Sequence, residues 1–394
     1  MNVKWNQLFY LLLFLMKNIY LDNAATTPIL PEVIDTVSTS MVNFYGNPSS
    51  THQIGRKAKS LVETARKKIA KQFNAASNEI VFTAGGSEAD NLILRNAVTN
   101  LGVTTIISSK IEHHAVLHTI EQLEKEFKII VYWVNIDENG SVDINHLEEL
   151  LQKNDAKKLV SLMYVNNEIG NLLDLRRVSD LCIEYNALFH SDTVQGIGHF
   201  EIDIKKTPID FFAASAHKFH GPKGVGFAYI KRGFGVQPIL LGGEQERGAR
   251  AGTENIHSIL GMEKALDIAC SNMEEETAYI QNIKSYFIKE LKNNFKNVEF
   301  NGNSESESKS SYIILNVRFA KEYSMLLFNL DLKGIAVSGG SACQSGSNKG
   351  SHVLNSILSE QEAIKTSVRF SFSKFNTIEE IDYVIEELKK ILIT

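Results

Sequence analysis

Glu79-Ile80-Val81-Phe82-Thr83-Ala84-Gly85-Gly86-Ser87-Glu88 begins as an apolar, β-branched run and ends in a glycine turn. Glu79 to Thr83 reads as a buried strand and Ser87 to Val98 as a helix. A strand that enters a helix through glycines turns backbone N–H groups outward at the helix N-terminus, where the helix dipole favours a phosphate. The glycines permit close approach, and the Ser87 hydroxyl adds a donor. The plainer alternative is a glycine turn with Ser87 as N-cap. No Gly-Lys-Ser/Thr follows, so the turn is not a P-loop.

The same alternation extends down the chain. Thr104 to Ser108, Lys128 to Val134, Leu159 to Val165, Ala187 to His190 and Ile209 to Ala214 read as strands. His114 to Phe127, Leu147 to Lys153 and Leu175 to Tyr185 read as helices between them. This spacing predicts an α/β fold, a mainly parallel sheet with helices on both faces. After a helix around Glu263 to Ser271 the pattern changes. The polar stretch Asn301 to Ser311 reads as a solvated loop. Strands at Ile313 to Val317 and Val368 to Phe372, with a helix at Ile378 to Leu392, predict a smaller α+β domain.

Composition narrows the class. The 394 residues suffice for about two domains. With 43% hydrophobic and 22% charged residues the chain is an ordinary globular one, not a disordered one. Lys+Arg 41 against Asp+Glu 46 gives a net charge of −5, and no long basic run suggests nucleic acid as a partner. Cys182, Cys270 and Cys343 are odd in number and far apart, which argues against a disulfide framework or a cysteine-rich zinc site and for a reducing compartment. The apolar run Leu8 to Met16 is nine residues, against about 20 for a membrane span. It is followed by no small-x-small cleavage site. Residues 1–15 read as an extension ahead of the folded chain: a start-site addition, an address, or a short helix packed on the surface.

Two further stretches carry chemistry. In His190-Ser191-Asp192-Thr193-Val194-Gln195, an acid stands at the C-terminal end of a strand, where parallel sheets bind ligands. Asp192 and Gln195 are three apart and can reach one flat ligand, although Asp192 can also simply cap the next turn. In Ser215-Ala216-His217-Lys218, a lysine follows a strand and leads into the turn Phe219 to Gly224. In a water-poor site such a lysine loses proton affinity and becomes an imine-forming nucleophile; most lysines are simply solvated. A phosphate cradle, an acid for a pyridinium nitrogen and a lysine for a Schiff base are together the parts that a pyridoxal phosphate site needs.

In this order the parts resemble the class V aminotransferases among the fold-type I enzymes, and more closely the NifS/IscS-type cysteine desulfurases. The resemblance starts at Tyr20-Leu21-Asp22-Asn23-Ala24-Ala25-Thr26-Thr27-Pro28 and includes Gly46-Asn47-Pro48-Ser49-Ser50, Val165 to Gly170 and Glu246-Arg247-Gly248. It continues through Ala251-Gly252-Thr253-Glu254-Asn255, Gly340-Ser341-Ala342-Cys343 and Val368-Arg369-Phe370-Ser371. It implies a large pyridoxal-phosphate-binding domain over residues 29–265, built on a mainly parallel seven-stranded sheet. The smaller α+β domain would comprise residues 16–28 and 266–394 and carry the cysteine loop.

The resemblance also implies roles. Lys218 would hold the cofactor through a Schiff base, Asp192 would pair with its ring nitrogen, and Gln195 would bond its phenolate oxygen. His113 would stack on the ring and help move protons. Gly86, Ser87, Ser215 and His217 would bind the phosphate, with Thr253 reaching in from a partner subunit of a homodimer. Asn167, beside the cofactor, and Arg369, as a bidentate fork, would hold the carboxylate of L-cysteine. Cys343 would take the sulfur as a persulfide and pass it to an acceptor protein, an iron–sulfur scaffold or a tRNA-thiolation carrier. The glycine- and serine-rich stretch Ser338 to Ser351 suits such a carrier thiol and resembles the IscS-like group rather than the SufS-like group. The chain as given ends at Thr394, soon after the last helix, without the longer tail through which some relatives engage a scaffold.

The expected activity is conversion of L-cysteine to L-alanine in the cytoplasm, with no metal, nucleic acid or membrane. Selenocysteine lyase or small-amino-acid transaminase activity would use the same site, and a sulfur-relay protein with an inactive site is the alternative outside the enzymes. His114 and His118, four apart on a helix, form either a metal pair or a solvated face; no glutamate completes a zincin motif.

Overall fold

The computed structural model describes residues 18–339 and 350–393. The extension over residues 1–15 and the thiol Cys343 therefore lie outside the described residues. The chain forms two compact units. The larger comprises Thr26–Asn166 and Leu172–Glu274; the smaller comprises the residues up to Ala25, the short segment Asn167–Asn171 and the chain from Glu275 onward.

The chain enters the smaller unit with β1 (Ile19–Tyr20) and passes into the larger through two helices, α1 (Pro31–Asn43) and α2 (Gln53–Gln72). Neither helix is legible as a simple apolar run. α2 buries only Ala58, Val62, Ala65 and Ile69 with Gly55, Arg66 and Ala70, a narrow stripe on an otherwise charged helix. Strand and helix then alternate: β2 (Ile80–Thr83), α3 (Gly86–Thr99), β3 (Thr105–Ser108), α4 (His114–Phe127), β4 (Ile130–Trp133), α5 (Ile144–Gln152), β5 (Lys158–Ser161), α6 (Leu175–Glu184), β6 (Leu188–Asp192) and β7 (Phe211–Ser215). β8 (Gly226–Ile230) and α7 (Ile256–Ser271) complete the unit.

The seven strands form one sheet in the order β2-β8-β7-β6-β5-β3-β4. β8 runs antiparallel to both its neighbours and the remaining pairs are parallel. Successive strand residues point to opposite faces, and each face has its own core. Phe82, Ile107, Val160, Phe212 and Phe227 pack with Val62, Leu147, Leu181 and Met262. Val81, Ile106, Leu159, Phe211 and Ala228 pack with Leu92, Val116 and Ile120.

β2 is one of the two outer strands, with β4 at the other edge, and an ion pair covers part of its open edge. Arg66 Nη1 donates to the Ile80 carbonyl (2.9 Å), and Glu246 Oε2 accepts from the Phe82 N–H (2.8 Å). The two side chains bind each other at 2.6 and 2.8 Å, both buried. This holds Glu246 and Arg247 at φ 49° and 58°, a left-handed conformation that costs a non-glycine residue energy.

In the smaller unit, β9 (Glu299–Phe300), β10 (Ile314–Arg318) and β12 (Ser367–Ser371) form an antiparallel sheet, and β1 pairs in parallel with β11 (Ile335–Ala336). Its helices are α8 (Met273–Asn294), α9 (Leu326–Asp331), α10 (His352–Ile357), α11 (Glu360–Ala363) and α12 (Ile378–Leu392). The stretch Asn301 to Ser311 corrects the sequence reading. Glu305 and Glu307 are exposed, but Asn301, Ser304, Ser310 and Ser311 are buried. They fold inward because Lys284 of α8, itself buried, donates to Ser310 Oγ (2.9 Å) and the Ser311 carbonyl (2.8 Å). Serine and asparagine here satisfy a buried cation and buried backbone, a purpose that local polarity does not disclose.

Replacing Glu246 by Ala removes the buried partner of Arg66 and leaves it only the more exposed Glu63, at 3.0 Å from its Nε; the expected loss in urea unfolding is about 3 kcal/mol, the low end for breaking a buried pair. A loss under about 1 kcal/mol, as for a surface pair, would show that the pair does not secure the edge. Burial lowers the Lys284 amine to about 7, with Glu307 opposing. Unfolding restores its ordinary proton affinity, so between about pH 7 and pH 10 the unfolded chain binds more protons and stability rises with pH. Lys284→Met should flatten that rise in urea titrations at several pH values; an unchanged slope would contradict the assignment.

Candidate active site

The larger unit gathers most of the sequence-predicted residues at the C-terminal ends of its strands. The turn after β2 places Gly85 at φ 153°, open to glycine alone, immediately ahead of α3. The cap position is Gly85 and not Ser87, and no side chain caps the helix. Ser87 is exposed in its first turn. A Cβ on Gly85 would lie 3.5 Å from Ser215 Oγ, and one on Gly86 would lie 2.5 Å from Val194 Cγ2 and 3.7 Å from Ser215 Cβ. The turn after β2 thus lies directly against the end of β7 and Val194, with no room for a side chain at Gly86. An uncapped helix N-terminus in a glycine cradle beside a serine hydroxyl has the form of a phosphate site.

Beyond Ser215 the chain makes a single 3-10 turn, Ala216–Lys218, which brings His217 and Lys218 to the same strand end. His217 Nδ1 lies 3.1 Å from Thr26 Oγ1, and the His217 carbonyl accepts the Thr27 N–H (2.9 Å) and hydroxyl (3.0 Å). Burial, with Lys218 and Lys223 nearby, lowers His217 to about 4, so its ring is neutral. The resemblance assigned no role to Thr26 and Thr27, although both lie in the quoted N-terminal motif; their part in the site is visible only across 190 residues of sequence.

Asp192 ends β6, two residues beyond the end of that strand in the sequence reading, and is buried. Its Oδ1 accepts the Val194 N–H at 2.9 Å. Burial raises its proton affinity, while His113, that N–H and Lys218 pull it down. The acid, the histidine and the lysine are thus close enough to feel one another's charge. His113 caps α4, its Nδ1 accepting the Ala115 N–H at 3.1 Å. Gln195 is buried one turn past Asp192. The residues therefore fit pyridoxal phosphate: a cradle for its phosphate, a buried acid for its ring nitrogen and a half-buried lysine for its aldehyde.

Thr253 stands apart, exposed on the loop before α7. In the smaller unit, Arg369 of β12 is buried and donates from Nη1 to the Asn167 carbonyl (2.7 Å) and from Nη2 to Asp22 Oδ1 (2.8 Å). Its Nε has no hydrogen-bond partner among the described residues. Asp22, which aims the guanidinium, is a positioning residue that sequence reasoning did not single out. His114 and His118 stack with ring centroids 4.8 Å apart. Among the described residues no group of three or more histidine, cysteine or acidic side chains is placed to hold a metal. No helix among them is long and apolar enough to cross a membrane.

Comparison with known proteins agrees with this geometry. The profile of the family described as aminotransferase class-V matches residues 19–384. The cysteine desulfurase IscS of Dictyoglomus turgidum is 39% identical over 381 residues, covering 95% of each chain. The cysteine desulfurase IscS of Clostridium botulinum strain Hall is 43% identical over 382 residues, covering 95% of this chain and 94% of that one. A solved NifS-like protein superposes with a TM-score of 0.87 at 33% identity, covering 96% of this chain and all of the other. The chain belongs to the class V aminotransferase family, among its NifS/IscS-type cysteine desulfurases.

Proposed function

We propose that this chain takes sulfur from L-cysteine, releases L-alanine, and carries the sulfur on Cys343 as a persulfide. The observation that supports this best is the meeting of Asp192, His113 and Lys218 beside an uncapped glycine cradle. Pyridoxal phosphate, when bound, supplies an electron sink for the pair of electrons released at the substrate Cα.

Each side chain then has a task. Lys218 provides the amine that bonds the cofactor aldehyde. Asp192 holds a proton on the ring nitrogen; that cation in turn favours the aspartate as an anion against its burial. Gln195 bonds the phenolate oxygen. Gly86, Ser87 and Ser215 hold the phosphate, joined by His217, which as a neutral ring contributes a hydrogen bond rather than a charge. His113 stacks on the ring. Because its Nδ1 accepts from Ala115, its neutral ring carries the proton on Nε2, the nitrogen that exchanges protons with substrate. Asn167 contacts the cofactor and, with Arg369, takes the substrate carboxylate.

The Cys343 thiolate attacks the substrate sulfur. A sulfur–sulfur bond forms, the carbon–sulfur bond breaks, and the electron pair left on carbon takes a proton to give alanine. The two described cysteines are poor candidates for this step. Burial pushes Cys182 far above the ordinary thiol range and raises Cys270 to about 11, so neither is a thiolate at neutral pH. Thr253 is assigned to the phosphate of a second subunit. Its exposure, with that of Ile239, Leu240 and Leu241 in the same unit, supports a homodimer in which another copy covers this surface. The acceptor is proposed to be an iron–sulfur scaffold or a tRNA-thiolation carrier, and the compartment the cytoplasm.

The direct test is incubation of the purified protein with L-cysteine and a reductant, scoring alanine and sulfide together; an oxo acid in place of alanine would indicate transamination. Lys218→Ala should lose turnover and the absorption of the covalently held cofactor, and a borohydride-trappable bond surviving in that variant would identify another lysine. Cys343→Ser should keep the cofactor and bind L-cysteine but form no persulfide. Mass spectrometry of the parent after exposure to cysteine should place one added sulfur on the Cys343 peptide; sulfur on Cys182 or Cys270 would overturn the assignment.

A further inference from the structure

His190 stands two residues before Asp192 in β6, on the same face of the strand, and is wholly buried. Its Nε2 lies 3.3 Å from Oδ1 of Asp90 in α3, and its Nδ1 lies 2.9 Å from Ser161 Oγ in β5. Asp90 is 1% exposed. Neither Asp90 Oδ1 nor His190 Nε2 makes a hydrogen bond to any other group among the described residues, and the two are each other's ion-pair contact at 3.3 Å, a separation that one shared proton closes into a hydrogen bond. Two buried polar atoms that face only each other need one proton between them.

There are two ways to place that proton. His190 can carry it on Nε2 and donate to an Asp90 carboxylate, or Asp90 can keep it and donate to a bare Nε2, with Nδ1–H turned to Ser161. The first puts another full negative charge beside the carboxyls of Asp192 and Glu112, both also buried. The surrounding donors separate the three acids. Asp192 accepts the Val194 N–H and feels His113 and Lys218. Glu112 accepts the Met163 N–H at 2.9 Å. Among the described residues, Asp90 receives no backbone N–H and its ion-pair contact is with His190 alone. It is the acid least able to bear a charge. Burial, then the Asp192 and Glu112 carboxylates, push Asp90 well above the ordinary carboxylate range, and burial drives His190 down, in favour of the neutral ring.

We propose that Asp90 and His190 are positioning residues: Asp90 donates its proton to His190 Nε2, His190 donates from Nδ1 to Ser161, and this uncharged chain braces β6 while leaving the negative charge to Asp192. The consequence for the cofactor rests on the reading that Asp192 meets its ring nitrogen; the proton arrangement itself does not.

The experiment uses the full-length protein with pyridoxal phosphate bound and labelled with nitrogen-15 at histidine. The His190 signals are assigned by their loss in His190→Gln. The expected spectrum is a neutral ring protonated at Nδ1 and constant from pH 5 to pH 8. A ring protonated at Nε2, or one that titrates in this range, overturns the proposal. Cofactor affinity supplies a second readout. Asp90→Ala removes the donor and should weaken binding by about tenfold, whereas Asp90→Asn keeps an uncharged donor and should restore it to within about threefold. An Asp90→Ala affinity equal to the parent, or an Asp90→Asn loss as large as that of Ala, also overturns it. If either Asp90 variant fails to fold, the spectrum of the parent decides. Asp192→Asn separates the two readings: unchanged cofactor binding there would refute the role of Asp192 while leaving the His190 spectrum to stand.

Discussion

Gly226 is the residue on which the larger unit's site depends. It pairs with Thr83 on one side and with Ser215 on the other, because β8 runs antiparallel between β2 and β7. The ends of those two strands are thereby held level across a single residue. One continues into the glycine turn of α3, the other into the turn that carries His217 and Lys218. A Cβ at Gly226 would fall 2.2 Å from the Ala214 carbonyl oxygen and 2.8 Å from Gly85 Cα, so only hydrogen allows the two turns to approach. The reversed strand is therefore what turns two separate strand ends into one cradle.

The second constraint is electrostatic. The site lies on a sheet whose interior is almost wholly apolar, yet Asp90, Glu112, Asp192 and His190 are all buried there. Several like charges cannot persist together at low dielectric. The structure distributes partners unequally: a backbone N–H and the nearby charges of His113 and Lys218 for Asp192, a backbone N–H for Glu112 and a neutral imidazole for Asp90. Proton affinity follows from that inequality. The smaller unit shows the same economy in reverse, where Lys284 is buried among serine oxygens and a backbone carbonyl and loses proton affinity through that burial, which Glu307 only partly opposes. Arg369, by contrast, is aimed by Asp22 and a backbone carbonyl and keeps its Nε–H unspent.

What was legible in the sequence followed from short-range rules. α4 over His114–Phe127 and α12 over Ile378–Leu392 appear where their apolar spacing put them, and the alternation of apolar strands with helices is enough for a mainly parallel sheet. The glycine turn, the acid after β6 and the lysine after β7 could be named because their chemistry depends on residue type and on position at a strand end. α1 and α2 were missed because their buried stripes are narrow and polar-flanked, and the serine-rich stretch after β9 was misread because its partner, Lys284, is distant in sequence.

The sequence by itself thus determined the fold class, the family and the identities of the groups that do chemistry, since these are set by local periodicity and by residue type. Only the tertiary structure decided which strand is reversed, that Asn167 travels with Arg369 in the smaller unit, that Asp22 orients Arg369, and that Arg66 and Glu246 close the sheet edge. Each of these is a contact between residues far apart in the chain. So too is the division of protons among the buried acids: a carboxyl's affinity depends on which donors and charges surround it in space, and no spacing along the chain records that.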